Sequence, residues 1–263
     1  SKKDLMGNQS TEQFDNIQRF YMETSQNMAK LNALKQADKP YQFEYLGVYV
    51  MDVTTKSTFK DKLSIADTVT KIDNKRFDST KALIKYLQTK QLGSRVEVGY
   101  EHSGKSRQTS GKMIKLANGK YGIGITLIDH TEIKSNPEIK IDAGNIGGPS
   151  AGLMFTLETY QLLSGKNLRG NLKIAGTGTM ADDGEVGRIG GIDKKIATAV
   201  KNKVDVFFAP DDTITSEMKQ ADPKIVSNYQ EALRAKKKLK TKLKIIPVKT
   251  LQDAVDYLEQ QIK

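Results

Sequence analysis

The 263-residue chain carries 37% hydrophobic and 28% charged residues at a mean hydropathy of −0.52. That is enough apolar material for a core under a wetted surface; it excludes disorder as the main state, and the length favours two domains over one. The balance of 42 Lys+Arg against 31 Asp+Glu gives a net charge of +11, but the lysines alternate with acids and lack the interleaved aromatics of a stacking platform, so nucleic acid is not an expected partner.

Other exclusions follow from single residue types. No apolar run reaches the roughly 18 residues that a membrane helix needs. Zero cysteines remove disulfides, thiolate metal sites and cysteine nucleophiles. His102 and His130 show no paired spacing, so a His-based zinc site is not expected; no other metal and no cofactor is expected either. Chemistry here falls to Ser, Lys, Asp, Glu or Tyr.

In chain order, residues 10–36 predict a helix, with Ser10 and Gln13 as a capping box and Phe14, Ile17, Tyr21, Met28 and Leu31 at helical spacing. Asp38-Lys39-Pro40 ends it. Tyr45–Val53 predicts a buried strand, Asp78–Lys90 a short helix, and Arg95–Glu101 and Lys112–Leu116 two strands joined through Gly104. From Gly122 the texture becomes α/β. Strands are predicted at Gly122–Ile125, Ile139–Ile141, Leu172–Ala175, Val204–Ala209 and Leu243–Val248, with helices at Pro149–Leu163, Ile192–Lys203 and Leu251–Gln261. The basic stretch Arg234–Lys244 reads as a solvated face. The fold class is α/β (α+β), with expected domains at 1–40 (helical segment), 41–116 (small β-rich module) and 117–263.

Two short motifs mislead. Gly99 to Ser106 satisfies G-x-x-x-x-G-K-[ST], but no helix follows whose amides could hold phosphates, and a hairpin turn is the better account. Gly176-Thr177-Gly178-Thr179-Met180-Ala181 fits a dinucleotide fingerprint, but Asp182-Asp183-Gly184 breaks it with a turn.

Two Gly-rich turns carry more. Gly147-Gly148-Pro149-Ser150-Ala151-Gly152 places a serine on the first turn of a helix among small residues, where free amides can hold an oxyanion. Gly187 to Gly191 feeds a helix whose apolar stripe is Ile192, Ile196, Ala199 and Val200. Lys195 falls beside that stripe and Lys194 on the polar side. Burial and the helix dipole would both favour a neutral Lys195 amine, as a general base requires. By spacing alone, a helix cap at Ser150 and a snorkelling Lys195 remain alternatives.

Gly148-Pro149-Ser150-Ala151-Gly152, Gly176-Thr177-Gly178 and Gly184-x-Val186-Gly187-x-Ile189-Gly190-Gly191-x-x-x-Lys195 together resemble the proteolytic domain of Lon peptidases, over residues 117–263. The resemblance implies Ser150 as nucleophile, Lys195 as base, Thr177 as a positioning residue that contacts the lysine, and support from Gly147 and Gly148. Gly147 departs from the Asp that many ATP-dependent members carry there. Residues 41–116 resemble a PDZ domain, which implies peptide binding at Tyr45, Leu46, Gly47 and Val48, with residues 78–90 as the other wall.

The order helix, PDZ, Lon-type domain is similar to PDZ-containing Lon-like peptidases of Gram-positive bacteria, and Phe20 to Gln26 and Gly152 to Leu157 resemble a streptococcal pheromone-processing branch. This implies an ATP-independent serine endopeptidase, acting on peptides or unfolded protein, with a secreted signalling peptide among the candidates. It further implies a membrane anchor upstream of Ser1, an extracytoplasmic location at the cell membrane, and a homo-oligomer. A non-catalytic PDZ scaffold is the alternative.

Overall fold

A computed structural model describes residues 11–144 and 148–261, with side chains from residue 14 onward. By compactness the chain falls into two units, one of residues 11–24 and 42–134, the other of 25–41 and 135–261. Helix α1 (Thr11–Gln36) contributes its first half to one and its second half to the other. The Ser10–Gln13 capping box lies outside the described side chains. The helix stops as expected: Asp38 turns left-handed at φ 51° and Pro40 cannot continue the ladder.

The first unit is a five-stranded sheet of order β4-β3-β2-β1-β7. Its strands are β1 (Tyr41–Val53), β2 (Thr68–Ile72), β3 (Arg95–His102), β4 (Lys105–Lys112) and β7 (Ile125–Ser135), with β5 (Ile114–Lys115) and β6 (Tyr121–Gly122) forming a separate small ladder. Helix α2 (Thr80–Gln88) is capped by Ser79, whose hydroxyl accepts from the Ala82 amide, and buries Leu83 and Leu87. Val48, Val50, Phe59, Ile72, Val96 and Val98 are the heart of the core. A second cluster packs Ile17 and Phe20 of α1 on Tyr49 and Met51.

The strand expected at Lys112–Leu116 starts earlier. Ser103 and Gly104, both left-handed at φ 50° and 73°, make a two-residue hairpin, and Lys105 already pairs with His102. The alternating apolar signal is missing because β4 is a polar sheet edge whose first four residues are exposed. The P-loop-like letters therefore run across a hairpin, with no helix to hold a phosphate.

The second unit centres on a three-stranded parallel sheet, order β12-β11-β8, from β8 (Ile174–Gly176), β11 (Val206–Pro210) and β12 (Lys244–Val248). Around it lie α3 (Gly152–Ser164), α4 (Ile192–Lys201), α5 (Ser216–Ala221), α6 (Asn228–Leu239) and α7 (Leu251–Gln261), and the small ladder of β9 (Thr179–Met180) and β10 (Val186–Gly187). The strand expected at Ile139–Ile141 is not formed; this segment pairs with no strand among the described residues. After β8 the chain enters β9, not a helix, which removes the dinucleotide reading of residues 176–181.

The basic stretch is the end of α6 and its exit. Ala232 and Ala235 bury against Ile192, Ile196 and Phe207, while Lys236, Lys237 and Lys238 occupy the last turn, where cations oppose the negative helix end. The fold is thus α+β: an N-terminal helix, a small β-rich unit, and a mixed unit holding both Gly-rich turns.

Candidate active site

Ser150 sits in a single 3-10 turn, Pro149–Ala151, that opens directly into α3. Gly148 precedes it at φ 79°, a conformation side chains rarely take, so the chain can turn sharply into the helix here. Gly147 lies outside the described residues. Gly152 is buried, and a Cβ there would come within 3.1 Å of the Met180 amide nitrogen, so a glycine lets α3 press against the strand segment after β8.

That segment grips the turn. The Gly178 amide donates to the Ser150 carbonyl at 3.0 Å, and the Leu153 amide donates back to the Gly178 carbonyl at 3.1 Å. Thr177, fully buried, donates its hydroxyl to the same Ser150 carbonyl at 2.9 Å. The resemblance implies that Thr177 contacts the lysine; the bond its hydroxyl makes to the Ser150 carbonyl holds the backbone of the serine.

Lys195 arrives from α4. Gly191, left-handed at φ 67°, turns the chain into this helix, and Ile192, Ile196 and Ala199 bury one face in the core. That fixes the helix rotation: Lys194 is exposed, while Lys195 is half-buried and reaches the half-buried Ser150. Its Nζ lies 3.3 Å from the Ser150 Oγ. A neutral amine at this distance can take the hydroxyl proton and make the oxygen a nucleophile.

The four residues expected to capture peptide in the β-rich unit are placed differently. Tyr45, Leu46, Gly47 and Val48 lie inside β1, which has β2 on one side and β7 on the other, so they form no loop. Gly47 serves close packing: at φ 142°, a Cβ there would stand 2.2 Å from the Val69 carbonyl oxygen. Tyr45 brings its hydroxyl within 3.5 Å of the Thr80 hydroxyl, and burial pushes its phenol up to about 12.

An apolar groove of about 330 Å³ lies instead between α2 and the edge of the sheet. Thr80, Ile84 and Leu87 form the helix wall, and Ile123, Ile125 and Leu127 the other. Asp129 of β7 accepts from the Thr80 amide at 3.3 Å and from the Thr80 hydroxyl, closing the far end. The sequence signal was Gly122-Ile123-Gly124, with Gly124 left-handed at φ 73°, just before an edge strand; it reads equally well as a strand opening, which hid it. Among the described residues no group of His, Cys, Asp or Glu is arranged to hold a metal ion, and no helix is long and apolar enough to cross a membrane.

Comparison with protein families matches residues 105–259 to the Lon protease (S16) C-terminal proteolytic domain and residues 18–113 to the PDZ domain. No curated protein matches. Among solved structures, the PDZ domain of the SdrC-like protein from Listeria monocytogenes is 37% identical over 32% of this chain and 90% of its own, with a TM-score of 0.31. The PDZ domain of the SdrC-like protein from Listeria innocua is 33% identical over 32% of this chain and 96% of its own, also at 0.31. GtR34C from Geobacillus thermodenitrificans is 26% identical over 30% of this chain and 94% of its own, with a TM-score of 0.28.

Proposed function

This chain belongs to the family of the Lon protease (S16) C-terminal proteolytic domain and joins to it a PDZ domain, and from that premise we propose that it is an ATP-independent serine endopeptidase working through a Ser150–Lys195 dyad. The observation that carries the dyad is the 3.3 Å approach of Lys195 Nζ to Ser150 Oγ. ATP independence draws support from the matched segments: the PDZ match ends at residue 113, inside the proteolytic match that starts at 105, so no ATPase module stands between them.

In the reaction, Lys195 takes the proton from Ser150 as Oγ attacks the scissile carbonyl. Backbone amides at Gly148 and in the first turn at Ser150 stabilise the oxyanion, since helix-start N–H groups have no partner within the helix, and the resemblance adds support from Gly147. The protonated lysine then gives its proton to the leaving amine. Water, deprotonated by the same lysine, hydrolyses the acyl-enzyme and restores Ser150. Thr177 keeps the serine backbone in place through its 2.9 Å hydrogen bond.

The division 1–40, 41–116 and 117–263 assigns a helical segment, a peptide-guiding PDZ domain and the catalytic domain. In the β-rich unit, which β7 joins although it follows residue 116, the groove between α2 and β7 suits an extended chain, because an edge strand offers free ladder groups and Ile84, Leu87 and Ile125 offer an apolar pocket. The finer reading follows the resemblance: a Gram-positive, pheromone-processing branch, a membrane anchor outside this chain, action on the extracytoplasmic face, flexible or secreted signalling peptides as substrates, and a homo-oligomer.

The test is mass spectrometry of flexible peptides incubated with wild type, Ser150→Ala and Lys195→Ala, without ATP or metal. Cleavage by the wild type that both variants lose supports the dyad and maps the cut bond. Equal behaviour of all three on a broad peptide set overturns it, and peptide binding without cleavage would leave the PDZ scaffold as the function.

A further inference from the structure

The second half of α1 lies outside the matched proteolytic segment, yet its side chains reach the turn that carries Ser150. Ser25, only 5% exposed, places its Oγ 3.3 Å from the Pro149 carbonyl oxygen and donates to it. Gln26 donates from Nε2 to the Ile141 carbonyl at 3.0 Å, on the segment leading to that turn. Further along the helix, the buried Asn32 donates to the Ala181 carbonyl at 2.8 Å and Lys35 to the Asp182 carbonyl at 2.7 Å, just beyond β9.

We propose that Ser25, carried on α1, is a positioning residue for the Ser150 nucleophile, so that this helix is a working part of the catalytic unit. The inference rests on the dyad reading above. Its physical basis is that a peptide unit is rigid and planar, leaving two soft torsions at each Cα. The Pro149 carbonyl belongs to the peptide plane before the Ser150 Cα, and the Ser150 carbonyl to the plane after it. Ser25 holds the first, and Thr177 with the Gly178 amide holds the second. With both planes held, φ and ψ of Ser150 are fixed, and so is the direction in which its Cβ presents Oγ to Lys195.

Asn32 and Lys35 anchor the helix to the far end of the same strand segment that carries Thr177, so both grips are tied to one element. The Ser25 hydrogen bond ends on a backbone carbonyl, and no charge is involved. Its removal should therefore change the population of the productive serine geometry while leaving peptide affinity alone, and misplacement of a nucleophile by a fraction of an ångström is costly.

The experiment is steady-state peptide cleavage by the full chain with Ser25→Ala, Ser25→Cys and Ser150→Ala, alongside thermal unfolding of each. The expected result is a graded fall in kcat, about tenfold for Ser25→Ala and less for Ser25→Cys, whose thiol is a weaker donor of similar size, with KM unchanged and Tm within a few degrees of wild type. Wild-type kcat in Ser25→Ala overturns the inference while an inactive Ser150→Ala keeps the dyad. A fall in kcat that tracks lost Tm, with KM moving too, also overturns it, since Ser25 would then serve general stability only. Cleavage by Ser150→Ala sinks the dyad reading itself.

Discussion

Lys195 Nζ lies 3.3 Å from Ser150 Oγ although 45 residues separate the two in sequence. Both are delivered by helix starts, one after Gly148 and one after Gly191, and each glycine takes a left-handed φ there. Substituting Lys195 by Ala should lower kcat by about a thousandfold or more, because an unassisted hydroxyl is a weak nucleophile. Lys195→Arg should be equally inactive: it keeps the positive charge, but a guanidinium cannot give up its proton to act as a base. Peptide turnover measured for both variants checks this, and substantial activity in Lys195→Arg would argue for a purely electrostatic role.

Thr177 makes a sharper prediction about what its hydroxyl is for. It is fully buried and donates to the Ser150 carbonyl. Thr177→Val keeps the shape and removes the donor, although the Gly178 amide continues to serve that carbonyl. The expected outcome is a loss of about 1 kcal/mol in stability and a kcat lower by about tenfold, with Thr177→Ser close to wild type. Denaturant melts and initial rates read the two effects separately.

The place of Lys195 beside the buried face of α4 is legible because helical spacing is a strong local signal, whereas its pairing with Ser150 enters only through the resemblance. Ile192, Ile196 and Ala199 fix the buried face of α4, and rotation alone then separates half-buried Lys195 from exposed Lys194. Where periodicity was weak, the reading failed. Ile139–Ile141 has three residues of alternating pattern and no partner strand, and β4 is a polar edge that alternates nothing apolar. Helices α5 and α6 give weak signals even though Thr215 and Ser227 cap them by accepting from Met218 and Gln230 amides: α5 is six residues long and buries none of them, and the lysine-rich end of α6 hides its short apolar stripe of Ala232 and Ala235. The close packing at β1 is hidden for another reason: in the sequence Gly47 carries no sign of whether its missing Cβ makes room for a ligand or for the Val69 carbonyl.

Asp73 in the β-rich unit gives a pH-dependent prediction. Burial pushes its carboxyl up, but bonds from the Glu97 amide at 2.8 Å, the Lys90 ammonium at 2.5 Å and the Tyr86 hydroxyl at 2.9 Å outweigh this and hold it below the usual carboxylate range. A carboxyl held low in the fold adds stability that is present above its unfolded pKa and is lost as pH falls through the folded one. Asp73→Asn should therefore destabilise the unit by about 1 to 2 kcal/mol at neutral pH, with the gap narrowing below about pH 4. Melts of both proteins from pH 7 to pH 2 measure it, and a gap that stayed constant would mean the charge contributes nothing.

Two substitutions separate packing from recognition in the same unit. Gly47→Ala would force a Cβ to 2.2 Å from the Val69 carbonyl oxygen at a φ of 142°, so the expected result is a destabilisation of about 3 kcal/mol or more, and peptide binding is lost only along with folding. Ile84, 43% exposed on the wall formed by α2, should behave in the opposite way. Ile84→Lys leaves the core untouched, because Leu83 and Leu87 carry the buried face of that helix. Its melt should stay within about 0.5 kcal/mol of wild type. Affinity for a peptide with an apolar C-terminal residue should nevertheless fall by about tenfold or more, as a charge now stands where an apolar side chain would be buried. Isothermal titration with free-acid and amidated peptides reads both the groove and its end preference. If Ile84→Lys binds like wild type while Tyr45→Ala, with a fold that survives, does not, the groove lies along β1 after all.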